Sequence, residues 1–317
     1  MSLVSNNVVS VNDVHNNDSK NFSFKVKRLF KKENTFGWAL FIPSAILLIL
    51  LGLIPTIYVL ILSFSSYDLN LGITAIPLLD SYQRMLSDER FWSGLRVTGI
   101  MVFVGVGLQF VIGLSIAMAL QKMSGWVQAF ITSILIIPML MPPVVVGSLW
   151  KMLLRQRTGS VSYIIESLGF NAIPWFESSF WGICSLIIAE VWEWTPFVTV
   201  ILLAGLLAIP RSVYEAAELD GANKWTQFWK ITLPMLRPII ALTIMLRVID
   251  AFKSFDLVLV MTRGGPGSGT ESIAYYTYIQ GFTYLDFSLT AAMSIAQLLL
   301  VIIVGKQLWK MTSGSEV

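Results

Sequence analysis

The sequence predicts an all-α integral membrane protein with six transmembrane helices and a cytoplasmic helix-turn-helix segment. The chain has a mean hydropathy of +0.71, and 13% of its 317 residues are charged, values typical of membrane proteins. Six apolar stretches also reach the roughly 20 residues that a helix needs to cross a hydrocarbon core. They lie near residues 38–62, 97–120, 127–150, 181–207, 239–261 and 288–309.

Helices are favoured over a barrel because barrel strands are about ten residues long and alternate in polarity. A helix also satisfies its own backbone hydrogen bonds in lipid. The fifth stretch is the least apolar, since it carries Arg247, Asp250, Lys253 and Asp256. We therefore expect six spans, of which the fifth has a polar side.

The six spans define the predicted domain organisation. Residues 1–36 are polar and rich in Asn and Ser, which predicts a disordered cytoplasmic tail. Residues 37–310 form the predicted six-helix membrane domain, with a structured loop at 211–235. Residues 311–317 are assigned to a short C-terminal cytoplasmic tail.

Lys and Arg residues predict the orientation, because they concentrate on the cytoplasmic side. The segments that share a side with both termini hold 13 of them, and the opposite segments hold seven. We therefore expect a multi-pass protein of the cytoplasmic membrane whose two termini and loop 211–235 face the cytoplasm. The loop that begins at Gly264 is then external.

Several kinds of chemistry are excluded or disfavoured by composition. Cys184 and His15 are the only residues of their types, which excludes an internal disulfide, a thiolate metal site and a His-based catalytic triad. The stretch "GGPGSGTES" has Thr270 where a phosphate-binding loop needs lysine. The net charge of +3 does not indicate nucleic-acid binding. We expect no catalytic residue, bound metal or cofactor in this chain.

The polar segment between the fourth and fifth stretches has the pattern of two short helices joined by a turn. Ser212 and Glu215 fit a capping box at the start of the first helix. Gly221 fits a left-handed residue at its end. Pro234 and Pro238 are expected to separate the second helix from the fifth span. The sequence predicts a rigid amphipathic element.

Two roles for this element remain open on the pattern alone. Its aromatic and basic residues, Trp225, Trp229 and Lys230, would suit a helix lying on lipid headgroups. A protein-docking element is the other role, with Trp225 and Phe228 as apolar anchors.

Polar side chains inside the fourth and fifth spans predict a functional face, since charges in a membrane usually line a bundle interior or an aqueous path. Glu190, Trp194 and Phe197 share one helical face, and Glu193 lies beside them. An aromatic ring next to hydrogen-bonding groups suits a sugar, because the ring stacks on C–H groups while carboxylates accept hydroxyls.

The fifth span places Arg247, Asp250 and Ser254 on one side. The alternative to a substrate path is a ladder of ion pairs, Arg247–Asp250 and Lys253–Asp256, that steadies a helix interface.

A family resemblance rests on three stretches. "EAAELDGANKWTQFWKITLP" resembles the E-A-A-x-x-D-G-A … I-x-L-P signature of permease subunits of ABC importers. "FIPSAILLILLGLIPTIYVLILSF" and "FKSFDLVLVMTRGGPGSGTES" resemble the sugar-uptake branch, of the maltose and glycerol-phosphate permease type. The resemblance covers roughly residues 38–310.

The resemblance implies that the helix-turn-helix segment is a coupling helix seated in a cleft of a separate ATPase subunit. By position, the implied coupling residues are Glu215, Ala216, Ala217, Asp220, Gly221, Ala222, Leu233 and Pro234. The positions implied for the substrate path are Glu190, Trp194, Phe197, Asp250 and Ser254.

The same resemblance implies the partners and the function. It implies a second permease subunit, two ATPase subunits that bind ATP and Mg, an external solute-binding protein and a carbohydrate substrate, with the permease in contact with membrane lipid. The chain itself would then be no enzyme. The alternative is a self-contained secondary carrier driven by an ion gradient, in which intramembrane Asp and Glu serve as proton sites.

Overall fold

The computed structural model describes residues 41–77 and 79–313, with side chains as far as residue 310. The tail predicted at 1–36 lies outside the described residues. The chain divides into two compact units, the first ending at Ile61 and the second beginning at Leu62.

The described chain is mostly helical, and we number eleven of its helices in chain order; a further short stretch, Val258–Thr262, is π-helical. The numbered helices are α1 (Phe41–Ser63), α2 (Asp80–Ser87), α3 (Glu89–Gln121), α4 (Gly125–Leu135), α5 (Pro143–Leu153), α6 (Ser160–Ser167), α7 (Ser179–Ala208), α8 (Arg211–Leu219), α9 (Lys224–Ala251), α10 (Ile273–Tyr278) and α11 (Phe287–Ser313). Within residues 41–77 and 79–313, five of them are long and apolar enough to cross a membrane: α1, α3, α7, α9 and α11.

The third predicted span is not one helix. Residues 127–150 fall in α4 and α5, which have 11 residues each and are separated by a 3₁₀ turn, Ile137–Leu140. Three prolines explain the break. Pro138 starts the tight turn, while Pro142 and Pro143 disfavour helical geometry in the residues before them. Met141 accordingly has an extended backbone, with φ −81° and ψ 140°.

The fifth span is also displaced from its predicted position of 239–261. Helix α9 begins at Lys224, runs through Pro234 and Pro238, and ends at Ala251. A π-helical stretch, Phe228–Thr232, precedes the first proline. A π-helical turn is wider than an α-helical one. It loosens the helix next to a proline, which has no backbone N–H to donate and whose ring crowds the carbonyl four residues earlier. The expected boundary between the second short helix and the span is therefore absent.

Helices α3 and α7 pack closely along their length. An added Cβ at Gly113 would lie 2.9 Å from Cγ1 of Val198, so only glycine allows this approach. Small interface residues are the usual way in which membrane helices come into close contact. Gln109 of α3 then donates from Nε2 to the backbone carbonyl of Glu190, 3.2 Å away.

A β-hairpin corrects the all-α prediction. Strands β1 (Ser66–Asp68) and β2 (Gly72–Ala75) pair antiparallel. The Asp68 carboxylate accepts hydrogen bonds from the backbone N–H groups of Asn70 and Leu71, at 2.8 and 3.1 Å, and shapes the turn. Tyr67 N–H donates to Ser288 Oγ at 2.9 Å, which ties the hairpin to the start of α11.

The loop that begins at Gly264 is turn-rich, as expected, and it is packed against the bundle. Thr270, Glu271 and Ser272 are all buried. The Glu271 carboxylate accepts from Nη2 of Arg90 at 2.7 Å, which joins the loop to the first turn of α3. Ser272 caps α10 through the backbone N–H of Tyr275.

Candidate functional site

The polar residues of α7 and α9 meet around Arg247, which is only 1% exposed. Its Nη2 donates to Glu190 Oε1 and its Nη1 donates to Asp250 Oδ2, both at 2.7 Å. Its Nε donates to Gln109 Oε1 at 3.0 Å. One guanidinium therefore links three helices, and each of its three nitrogens has a partner.

Only part of the predicted ion-pair ladder is present. Arg247 pairs with Asp250 as expected, but it also pairs across the bundle with Glu190. Among the described residues, Lys253 and Asp256 form no ion pair with each other. The charged residues thus connect helices rather than only steadying one of them.

Trp194 lies against this cluster. The guanidinium carbon of Arg247 is 4.3 Å from the centroid of the Trp194 ring, a cation–π arrangement. Phe197 meets Trp194 edge to face at 6.1 Å and packs with the leucine-rich core between α3 and α7. One face of Trp194 is therefore covered by a cation, so at most its other face is free for a sugar.

A cavity of about 160 Å³ opens beside the cluster. A cavity of about 150 Å³ can hold a benzene-sized ring, so this space suits one small ring at a time. Four of the five predicted path residues line it, and Phe197 does not. The lining is Pro143, Glu190, Glu193, Trp194, Asp250, Lys253, Ser254, Phe255, Asp256 and Leu257.

The lining is acidic. Glu190, Glu193, Asp250 and Asp256 contribute four carboxylates, against the cations of Lys253 and the adjoining Arg247. Glu193 differs from the other three, because it is 1% exposed and its Oε2 is buried without a hydrogen-bond partner among the described residues.

Residues outside the predicted set complete the site. Phe255 lines the cavity where the chain leaves α9, and it stacks on Tyr275 of α10. Pro143 brings the start of α5 to the same space. Sequence periodicity within one helix could not have placed these residues, because the break in the third predicted span and the end of α9 bring them there.

The helix-turn-helix segment is a second candidate site. Gly221 has a φ of +79°, the left-handed conformation that the sequence predicts. Its N–H donates to the carbonyl of Glu218, and the N–H of Ala222 donates to that of Ala217. This pair of bonds closes the last turn of α8 in the manner of a Schellman motif. Asn223 then caps α9, since its Oδ1 accepts from the N–H of Thr226 at 2.8 Å.

The predicted start of this segment is corrected. Helix α8 begins at Arg211 with Pro210 as its N-cap, and no side chain caps it. The capping box of Ser212 and Glu215 is absent because the helix begins earlier than predicted. Pro210 occupies the N-cap position, so Ser212 lies inside the first turn and cannot cap it. A hydrogen bond of 2.9 Å between Tyr214 OH and Thr232 Oγ1 ties α8 to α9.

Most of the segment's outer surface is exposed. Leu219 is 91% exposed, Trp225 70% and Trp229 51%. The carboxylates of Glu215 and Asp220 are exposed, as is Ala216, while Ala217 and Ala222 are half-buried. Leu233 and Pro234 lie farther on, in the first half of α9, where Leu233 is half-buried and Pro234 exposed. A pre-folded, largely exposed element with large apolar side chains is suited to a partner surface.

The chain thus combines a charged cavity between apolar helices with an exposed, capped helical segment. Residues 109–306 match the family of binding-protein-dependent transport system inner membrane components, and the chain belongs to that family.

Named relatives agree with this assignment, and one solved structure shares the fold. The chain is 33% identical to a probable ABC transporter permease of Sinorhizobium fredii, over 90% of this chain and 92% of that one. It is 32% identical to the trehalose/maltose transport system permease of Thermococcus litoralis, over 87% and 92%. A subunit of a bacterial ABC transporter involved in the import of the acidic polysaccharide alginate has the same fold, with a TM-score of 0.79, 20% identity and coverage of 92% and 100%.

Proposed function

We propose that the chain is the permease subunit of an ABC importer that moves a carbohydrate across the cytoplasmic membrane, driven by ATP hydrolysis on separate ATPase subunits. Family membership supplies the transporter class. The observation that carries the mechanism is the exposed segment of α8 and the start of α9, which is fixed internally by backbone caps and the Tyr214–Thr232 bond. Such an element can transmit the displacement of a bound partner without changing its own conformation.

The segment acts as a coupling helix in this proposal. Ala216 and Ala217 allow a close approach, Gly221 gives the sharp turn, and exposed Leu219 supplies an apolar anchor. Because α9 runs without a break from Lys224 to Ala251, a displacement at Ala222 passes directly along a helix to Arg247. The coupling element and the polar cavity are thus connected by one continuous helix, in which the π-helical turn at Phe228–Thr232 is the least regular part.

The path for the sugar is the acidic cavity. Its size suits one ring, and its lining offers carboxylates, the Ser254 hydroxyl and the open face of Trp194. The Thermococcus relative is named for trehalose and maltose, which supports a carbohydrate.

Six membrane crossings are part of the proposal, with α4 and α5 together forming the third. Broken helices at membrane depth are tolerated where they line a cavity, and Pro143 at the start of α5 does so. The two termini and the coupling segment then face the cytoplasm. The partners are a second permease subunit, two ATPase subunits that carry ATP and Mg, and an external solute-binding protein.

Purification of the tagged chain from its native membrane tests the assembly. We expect an ATPase, a second permease and a solute-binding protein to co-purify, as identified by mass spectrometry. A chain that purifies alone under conditions that preserve other membrane complexes would contradict the proposal and favour a self-contained carrier.

A further inference from the structure

Three basic residues, which we call the basic corner, meet where α5 ends and where the chain leaves the π-helical stretch Val258–Thr262. Lys151 is in the last turn of α5 and donates from Nζ to the backbone carbonyl of Val260 at 2.7 Å. The positive charges of Arg155 and Arg263 both act on this ammonium. None of the three cations forms an ion pair in the part of the chain that the structure describes. Since like charges repel, a bound anion would stabilise the corner.

Helix α6 lies against the end of α5. Ser162 Oγ donates to the backbone carbonyl of Leu154, the residue that follows α5, at 3.1 Å. Val161 and Ile165 pack on the hydrophobic cluster that contains Leu154. Helix α6 is therefore held at the level where α5 ends, next to the basic corner.

The side of α6 that faces away from this cluster has an apolar flank. Ile164 is 55% exposed, and Leu168, the C-cap residue, is 70% exposed. They lie four residues apart and so share one flank of the helix. Glu166 is two residues from each of them, which places its carboxylate on the opposite flank. An apolar flank beside cations, with the acidic residue turned away, suits a helix that lies in the membrane interface.

We propose that the basic corner and α6 bind an anionic phospholipid of the outer leaflet, with Lys151, Arg155 and Arg263 around its phosphate and the apolar flank of α6 against its acyl chains. The inference rests on the proposed topology, which places the end of α5 at the outer surface of the membrane. A phospholipid supplies a negative charge and an apolar surface in one molecule, so it satisfies both halves of the site.

Two other occupants fit less well. A free phosphate would match the cations but would leave Ile164 and Leu168 in water. A soluble binding protein would have to reach Lys151, which is half-buried in α5, and the exposed residues on this helix, Val145 and Met152, are apolar and suited to lipid.

Photocross-linking from position 164 identifies the occupant. p-Benzoylphenylalanine replaces Ile164 and keeps the position apolar. The co-purified transporter is reconstituted in vesicles of equal parts phosphatidylglycerol and phosphatidylcholine, and the adduct on the chain is identified by mass spectrometry after irradiation. We expect phosphatidylglycerol adducts to exceed phosphatidylcholine adducts by at least about fivefold, the factor that one cation near an anionic lipid supplies. Equal yields of the two adducts would overturn the inference.

The double variant Arg155→Gln with Arg263→Asn tests the cations. Both side chains are exposed, and asparagine tolerates the φ of +53° at position 263. Lys151 is retained because of its bond to Val260. We expect the preference for phosphatidylglycerol to fall at least about fivefold. Arg96→Gln, which removes an exposed arginine of α3, is the matched control and should keep the preference. An unchanged preference in the double variant would overturn the inference.

Adding the solute-binding protein or inorganic phosphate to the vesicles tests the other occupants. Neither should lower the yield of the phosphatidylglycerol adduct. An adduct between position 164 and the binding protein, or loss of the lipid adduct in millimolar inorganic phosphate, would overturn the inference. Because cross-linking requires neither ATP nor sugar, its outcome is independent of transport. ATP-independent uptake by the same vesicles would contradict the proposed function and leave the lipid result standing.

Discussion

The guanidinium of Arg247 lies 4.3 Å above the indole ring of Trp194, between α9 and α7. The same cation pairs with carboxylates on both helices, so one residue organises the polar centre of the bundle. The sequence suggested Arg247 only as part of the polar side of one span, or of an ion-pair ladder along it. Arg247 joins the end of α9 to the wall of the proposed path.

Arg247→Ala should destabilise the protein strongly. Removing one member of a buried charge cluster leaves uncompensated carboxylates and costs about 3–5 kcal/mol. We expect a melting temperature several degrees lower and a reduced yield in detergent. Arg237→Ala, which removes an exposed arginine from the same helix, is the control and should leave both unchanged.

A compensating substitution tests whether the unpaired charge causes the loss of stability. The double variant Arg247→Met with Glu190→Leu should recover part of the lost stability, because apolar replacement of a buried pair is often tolerated. Equal melting temperatures for wild type and Arg247→Ala would show that the cluster contributes little.

Gly221→Val should impair coupling without loss of protein. A side chain in the left-handed conformation costs about 1–2 kcal/mol locally, too little to unfold a packed bundle. No neighbour lies within 4 Å of an added Cβ at Gly221, so the effect on the chain itself is confined to the backbone turn. We expect normal abundance, weaker ATPase co-purification and less uptake per ATP.

Gly169→Val provides a matched control for backbone strain. Gly169 also has a positive φ, of +87°, and open space around its Cβ, but it lies at the end of α6. It should retain coupled transport. If Gly221→Val also transports normally, the segment is not the transmission element and a helix on the membrane surface becomes the better account.

Tyr214→Phe tests the stiffness of the segment. The change deletes the hydroxyl that bonds Thr232 at 2.9 Å and keeps the ring. A single hydrogen bond contributes about 0.5–1.5 kcal/mol. With the segment loosened, the assembled transporter should therefore transport less sugar per ATP hydrolysed. Tyr163→Phe, at a 69% exposed position on α6, should leave the ratio unchanged. Identical ratios for both variants would show that the bond is not needed for coupling.

Cysteine labelling tests the orientation. In a Cys184→Ala background, Gly221→Cys should react with an impermeant maleimide only when the cytoplasmic face is exposed. Ser268→Cys should react from outside the cell. External labelling at Gly221→Cys would end the coupling proposal, because an ATPase subunit could not reach the segment.

The sequence predicted a mostly helical chain and the turn at Gly221, because these depend on local hydrophobicity and on backbone conformation. It misplaced the ends of elements where prolines compete with hydrophobic length. Pro142 and Pro143 break an apolar stretch that is long enough to span a membrane, whereas Pro234 and Pro238 lie inside a continuous helix. The two outcomes depend on packing and on a π-helical turn, neither of which is visible in a linear pattern.

The candidate site was predicted in part for the same reason. Helical spacing placed Glu190 with Trp194, and Asp250 with Ser254, because each pair lies on one helix. It could not show that Arg247 reaches from α9 to Glu190. Contacts between helices depend on the rotation of each helix about its axis and on its depth in the membrane. The hydrophobic periodicity of one helix does not determine either quantity.

The proposed function is tested most directly by sugar uptake into vesicles that contain the co-purified complex, with ATP and ion gradients supplied separately. We expect a carbohydrate to accumulate only when ATP is present on the cytoplasmic side and the binding protein is outside, and we expect no effect when proton and sodium gradients are dissipated. Accumulation that follows an ion gradient in the absence of ATP would contradict the proposed function.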